Sequence, residues 1–141
     1  MLEFKTPQIE DKAWVDQCFK HLKTMNCDYT FGNMFVWSTE YSTKICRFKD
    51  FFICSWGMGK ETNFGIPVGK GDFKEAVEEV IKYAKANDIM PRFYGVTEAY
   101  VEMLNENFPD AFQFFYDESY GDYIYEVENI ASLTGKKSHG R

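Results

Sequence analysis

Histidine is almost missing from this chain, with only His21 and His139 among 141 residues. Four cysteines, Cys18, Cys27, Cys46 and Cys54, are scattered without a single C-x-x-C pair. Zinc sites need clustered thiolate and imidazole ligands, so no metal site is expected, and the thiols read as reduced core residues. Neither histidine sits in a serine or cysteine nucleophile signature, so hydrolase chemistry has no support. Basic residues are outnumbered, 16 Lys and Arg against 22 Asp and Glu, for a formal charge of −6. A polyanion is held by cations that neutralise phosphates, and this balance argues against the segment as the main nucleic-acid binder. No apolar run approaches the roughly 18 residues of a membrane span, and the Met1–Lys5 start lacks the basic and apolar regions of a secretory leader. The expectation is a soluble, cytoplasmic protein without repeats or low-complexity stretches.

Aromatic residues, by contrast, are abundant. The 14 Phe, 9 Tyr and 3 Trp make 18% of the chain. A single core of this size buries roughly two-thirds of its unfolded surface, so some of these rings are expected to face a partner.

Between Asp11 and Leu22, the apolar residues Val15, Cys18, Phe19 and Leu22 recur at i, i+3, i+4, i+7 and predict an amphipathic helix. A second helix over residues 29–37 carries Phe31, Met34 and Phe35 on one stripe, with Asp28 or Thr30 as cap. The period then changes to that of strands. Lys44–Phe48, a Lys49-Asp50 turn, Phe51–Trp56, a loop over 57–63 and Phe64–Val68 predict a three-stranded meander. Pro67 has no N–H for a ladder, so the third strand is expected to bulge or lose its pairing there and the sheet to open. Asp72 followed by Glu75 opens the clearest helix, with Phe73, Ala76, Val77, Val80, Ile81 and Ala84 on one face. Arg92–Val96 reads as a strand, Thr97–Asn107 as a helix, Phe112–Tyr116 as a strand and Asp122–Val127 as the last strand of a hairpin. A helical turn over Asn129–Leu133, a stop at Gly135 and the basic Lys136, Lys137 and Arg141 follow.

The fold class predicted is α/β with a mixed sheet covered by helices on both faces, in the order β-α-α-β-β-β-α-β-α-β-β. Residues 1–134 are expected to form one domain. Residues 135–141 read as the beginning of a basic linker, and the chain as the front half of something larger.

Several groups invite a functional reading. The turn Gly69-Lys70-Gly71 before the clearest helix has the flexibility to bring backbone N–H groups to an anion, or is a tight turn with Asp72 as N-cap. Phe31, Met34, Phe35 and Trp37 read as core or as the lining of an acyl pocket. Tyr100 is expected in the core. Tyr116, Tyr120, Tyr123 and Tyr125 suit a shared surface, since buried hydroxyls need partners. Glu126 and Glu128 read as surface charge.

The order of elements resembles the GNAT acyltransferase fold, with the opened third strand where that fold splays two strands to admit its acyl carrier. More specifically, Cys27-Asp-Tyr-Thr-Phe-Gly-Asn-Met-Phe-Val-Trp37 and Tyr125-Glu-Val-Glu-Asn-Ile-Ala-Ser-Leu-Thr-Gly-Lys-Lys137 are similar to the phosphatidylglycerol lysyltransferase C-terminal domain family. Its members look like two GNAT halves in tandem, related to the Fem-type aminoacyl-transferases. The resemblance implies the first half of such a protein, with transfer of an aminoacyl group from a charged tRNA carried out mostly by the second half. It also implies that Gly69, Lys70 and Gly71 would cradle the pyrophosphate of an acyl-CoA. The GNAT motif places Arg or Gln where Ile66 stands here, and acetyl-transferring GNATs place a tyrosine acid where Asn105 stands. The expected partners are the second GNAT-like half, aminoacyl-tRNA through that half, or a second copy of the chain if it is used alone. A stand-alone acyl-CoA N-acyltransferase and a non-enzymatic interaction module are the alternatives.

Overall fold

The computed structural model describes residues 1–22, 24, 26–118 and 125–132. Its centre is the hairpin of β1 (Lys44–Phe48) and β2 (Phe51–Trp56), antiparallel from Lys44↔Ser55 to Phe48↔Phe51. Lys49 takes a left-handed backbone (φ 52°) and closes the two-residue turn with Asp50. The strand expected at the N-terminus is reduced to one bridge, in which Lys5 and Ile45 exchange backbone hydrogen bonds.

β2 is buried on both faces, and alternation sorts its side chains. Phe51 and Ile53 face α3 (Phe73–Ala86), meeting Ala76, Val77 and Val80. Phe52 faces the other way, toward Val15 and Cys18 of α1 (Lys12–Phe19) and Phe31 of α2 (Phe31–Trp37). Tyr100 and Leu104 of α4 (Glu98–Asn107) complete the cluster on the α3 side. The chain is thus an α/β protein with a mixed sheet between helical layers.

The third expected strand is two strands. β3 (Asn63–Gly65) pairs with β2 as Ser55↔Phe64, a register that would bring Val68 opposite Phe51. Phe51 instead faces Gly69 of β4 (Val68–Gly69), so one extra residue is accommodated around Ile66 and Pro67. That break was expected from Pro67. β5 (Phe93–Tyr94) pairs in parallel with β3 as Phe64↔Phe93 and Gly65↔Tyr94, and then turns away at Gly95 (φ 66°). Because β5 joins β3 and not β4, the sheet opens beyond Gly65.

Three expectations fail. Phe112–Tyr116 forms no strand. Its aromatic content favours the extended state, but no edge of the described sheet meets it to form a ladder. The strand expected over 92–96 shrinks to Phe93–Tyr94, since Gly95 turns the backbone out of register. Toward the end, Tyr125 and Glu126 are irregular, and Val127 opens the short helix α5 (Val127–Ser132) where a strand was expected to close. Residues 119–124 and 133–141 lie outside the described residues, and with them Tyr120, Tyr123 and the expected linker over 135–141.

Asp11 anchors the start of α1. It is 5% exposed and accepts hydrogen bonds from Lys5 Nζ (2.6 Å), the Gln8 N–H (2.9 Å) and Trp14 Nε1 (2.9 Å). Burial raises its carboxyl pKa, but these donors outweigh burial and hold it below the usual value.

Glycine at 69 is a packing requirement. A Cβ there would lie 2.0 Å from the Asp50 carbonyl oxygen, whereas one at Gly32, in α2, would meet nothing within 4 Å. Gly69→Ala should therefore lower stability by about 1–3 kcal/mol through overpacking, and Gly32→Ala should raise it by about 0.5–1 kcal/mol through helix propensity. Urea midpoints at constant slope check the opposite signs; equal shifts in one direction would refute the packing argument.

Candidate functional site

The sheet parts between β4 and β5, and the contents of that opening decide what it can do. Ile66 and Val68 line it from the sheet and are fully buried, as is Leu104 of α4. Tyr100 lies against Phe73, ring centroids 6.0 Å apart, and is buried as expected. Phe19, Leu22 and Tyr29, from the α1 side of the sheet, reach the same cluster as the α3 and α4 side chains. Side chains of both layers therefore meet through the opening and fill it.

Tyr29 is the plug. It sits in a 3-10 turn (Cys27–Tyr29) whose first residue follows the capping side chain of Asn26, which accepts from the Asp28 N–H at 2.8 Å. Its hydroxyl donates to the Gly95 carbonyl at 3.4 Å, and its ring packs edge-on against Phe19 at 6.0 Å. A Cβ on Gly95 would come within 2.6 Å of that hydroxyl, so the end of β5 is shaped around Tyr29. Burial pushes the phenol pKa up, with Cys54, Tyr100 and Asp28 adding to it. From the sequence Tyr29 reads as the start of a helix, and its contact with β5 is not visible there. The signal was the pair of Tyr29 and Gly95, which only a contact across 66 positions makes meaningful.

The turn Gly69-Lys70-Gly71 lies beside this opening, with its donors partly engaged. The Lys70 N–H reaches the Asp50 carbonyl at 3.4 Å, and the Glu75 N–H at the start of α3 is capped by the Asp72 carboxylate at 3.0 Å. Gly71 has φ 136° and a Cβ there would touch the Phe51 ring at 3.3 Å. Asn105 is exposed on α4. The stripe of α2 divides: Phe31 is buried, while Phe35 and Trp37 (49% exposed) look outward, so neither the core nor a closed acyl pocket takes them in. Val36 is exposed as well, and Trp37 packs on Tyr41 at 6.0 Å. Phe115 and Tyr116 are 88% and 90% exposed, and Tyr125 is half exposed.

Among the described residues no three His, Cys, Asp or Glu side chains are grouped to hold a metal ion, and no helix is long and apolar enough to cross a membrane. All four cysteines are free. The Cys54 thiol, tucked against Gly65, is pushed by burial from its ordinary value of 9.0 up to about 12. The folded chain thus keeps a proton that the unfolded chain releases near pH 9.0, so stability is intact below that pH and falls as pH rises toward 12. The raised Tyr29 and Tyr100 phenols act in the same direction. Urea denaturation between pH 8 and 11 should show a loss approaching about 1.4 kcal/mol per pH unit for each such group, less steep in Cys54→Ala. Thiol titration of the native chain should show one fast cysteine, exposed Cys27, and Cys27→Ser should remove that phase.

A crystal structure of a conserved protein of unknown function from Bacteroides thetaiotaomicron VPI-5482 is similar at TM-score 0.86 and 29% identity, over 99% of this chain and 47% of that one. The chain therefore spans about half the length of that protein. No curated protein gives a significant match. The pattern described as phosphatidylglycerol lysyltransferase, C-terminal, matches residues 19–140. The match takes in Tyr29, both arms of the opened sheet and α4, and by it the chain belongs to the phosphatidylglycerol lysyltransferase C-terminal family.

Proposed function

We propose that this chain is the N-terminal, GNAT-like half of a tandem aminoacyl-transferase-like protein, catalytically degenerate and acting as a scaffold for a second GNAT-like unit. The observation that carries this reading is the filled opening. A GNAT admits its acyl carrier between the two splayed strands; here Ile66, Val68, Tyr29 and Tyr100 occupy that space. Transfer of an activated acyl group needs the ester and the amine held in line, with donors for the developing oxyanion. A unit whose wedge is filled by its own side chains holds no carrier there, but it can shape the wall of a neighbour's channel.

Two further observations favour the scaffold over a stand-alone acyl-CoA N-acyltransferase. Donors at Gly69, Lys70 and Gly71 that would cradle a pyrophosphate are partly engaged within the chain, and Asn105 offers no phenolic acid. The exposed rings of Phe115, Tyr116 and Trp37 suit a second unit packed against this one, and the similar solved protein is long enough to contain it. Aminoacyl-tRNA would be bound through that unit, since this chain carries a net charge of −6.

Calorimetric titration of the purified chain with coenzyme A and acetyl-coenzyme A tests the reading. The expected result is no saturable heat that responds to Gly71→Asp. Saturable binding that disappears in a folded Gly71→Asp variant and survives Arg47→Ala would establish a working carrier site and overturn the scaffold assignment.

A further inference from the structure

A second cleft lies away from the filled opening, on the α1 side of the β1–β2 turn, and it is built from side chains of opposite character to the rest of this acidic chain. It has a volume of about 170 Å³ and is bordered by Trp14, Gln17 and His21, by Arg47 and Asp50, and by Lys70. Three separate elements are tied together at its base. The Asp50 carbonyl accepts from the Cys18 thiol at 3.5 Å and from the Lys70 N–H at 3.4 Å, which fixes the β1–β2 turn to both α1 and the turn before α3.

The cations around it have unused donors. Arg47 lies over the Trp14 ring, Cζ 5.8 Å from the centroid, and its Nε donates to the Lys49 carbonyl at 3.1 Å. Its terminal nitrogen is 3.6 Å from the Asp50 carboxylate, too long for a hydrogen bond, so that fork still has donors to offer. The Lys70 ammonium and the His21 ring border the same cleft. Asp50 is the single acid bordering the cleft, and it lies against Arg47.

We propose that this cleft binds a phosphate group, with the Arg47 fork and the Lys70 ammonium on its oxygens, His21 and Gln17 as further donors, and Trp14 holding Arg47 in place. A planar guanidinium beside a point-charge ammonium matches the several oxygens of a phosphate better than the two of a carboxylate. The volume corresponds to roughly five or six waters, enough for a phosphate with part of its ester. The site does not depend on the scaffold reading, because it shares neither Ile66 nor Tyr100 with the opening.

Proton–nitrogen NMR of the full chain, titrated with inorganic phosphate at constant ionic strength in chloride, tests it. The Trp14 indole, Gln17 amide and Arg47 signals should move together and saturate with a dissociation constant of about 1 mM, the strength of a few charge-assisted hydrogen bonds at a wet surface. Arg47→Ala and Lys70→Ala should each weaken binding about tenfold with the remaining spectrum unchanged, while Lys85→Ala, an equal loss of charge elsewhere, should not. Shifts that never saturate, or an equal effect of Lys85→Ala, would mean unspecific attraction and overturn the site. Coenzyme A in place of phosphate separates this proposal from the previous one. Shifts at Trp14 and Arg47 that spare Ile66 and Tyr100 support the cleft; shifts at Ile66 and Tyr100 that spare Arg47 overturn it, because the phosphates would then be seated elsewhere.

Discussion

Everything distinctive in this fold follows from one interruption of a ladder, at Ile66 and Pro67. Proline has no N–H to give, and the extra residue beside it shifts the register of β4 on β2 by one position. β5 can then pair only with the two residues of β3 that precede the break. Beyond Gly65 the sheet parts. A parted sheet exposes apolar side chains on its inner edges, and a stable molecule has to cover them with ligand, with water or with its own residues. This chain uses its own. Tyr29 crosses from one helical layer to the other side of the sheet, and Gly95 is shaped to receive it.

The same economy of space appears at the β1–β2 turn. The Asp50 carbonyl is approached so closely by β4 that only glycine fits at 69, and the remaining acceptor capacity is taken by Cys18 and Lys70. One backbone oxygen thereby joins α1, the hairpin and the entrance to α3. The geometry that closes the expected pyrophosphate turn inward is also the geometry that holds Arg47, Lys70 and Trp14 around a different cleft.

Local signals told most of the architecture. The helical period of Phe73, Ala76, Val77, Val80 and Ala84 with Asp72 as cap predicts α3 to within its first residue, and the Lys49-Asp50 turn fixes the β1–β2 register. Pro67 announced the break. What stayed hidden depends on partners distant in sequence. Phe112–Tyr116 has the composition of a strand, but composition cannot say whether an edge is there to pair with. Phe31 and Phe35 share a helical stripe and stack at 5.6 Å, yet only the first is buried, in the cluster that holds Phe52. The candidate site suffered most. Its decisive residue, Tyr29, gains meaning only from Gly95, and Gly69 reads as a flexible turn until the Asp50 carbonyl is placed beside it.

A channel and a core compete for the same volume in a sheet of this kind. Keeping the wedge between β4 and β5 open would leave Ile66, Val68 and Tyr100 in water whenever the carrier is absent, a penalty an enzyme bears because the bound carrier repays it through function. A unit relieved of catalysis has no reason to bear it, and burial of a tyrosine in the wedge adds stability at once. The opposite trend governs the outer surface. Phe115, Tyr116, Val36 and Trp37 remain exposed, and on the proposed scaffold reading the second unit would cover them. Filling the inner site while leaving aromatic rings outside is the pattern that the proposed scaffold role requires.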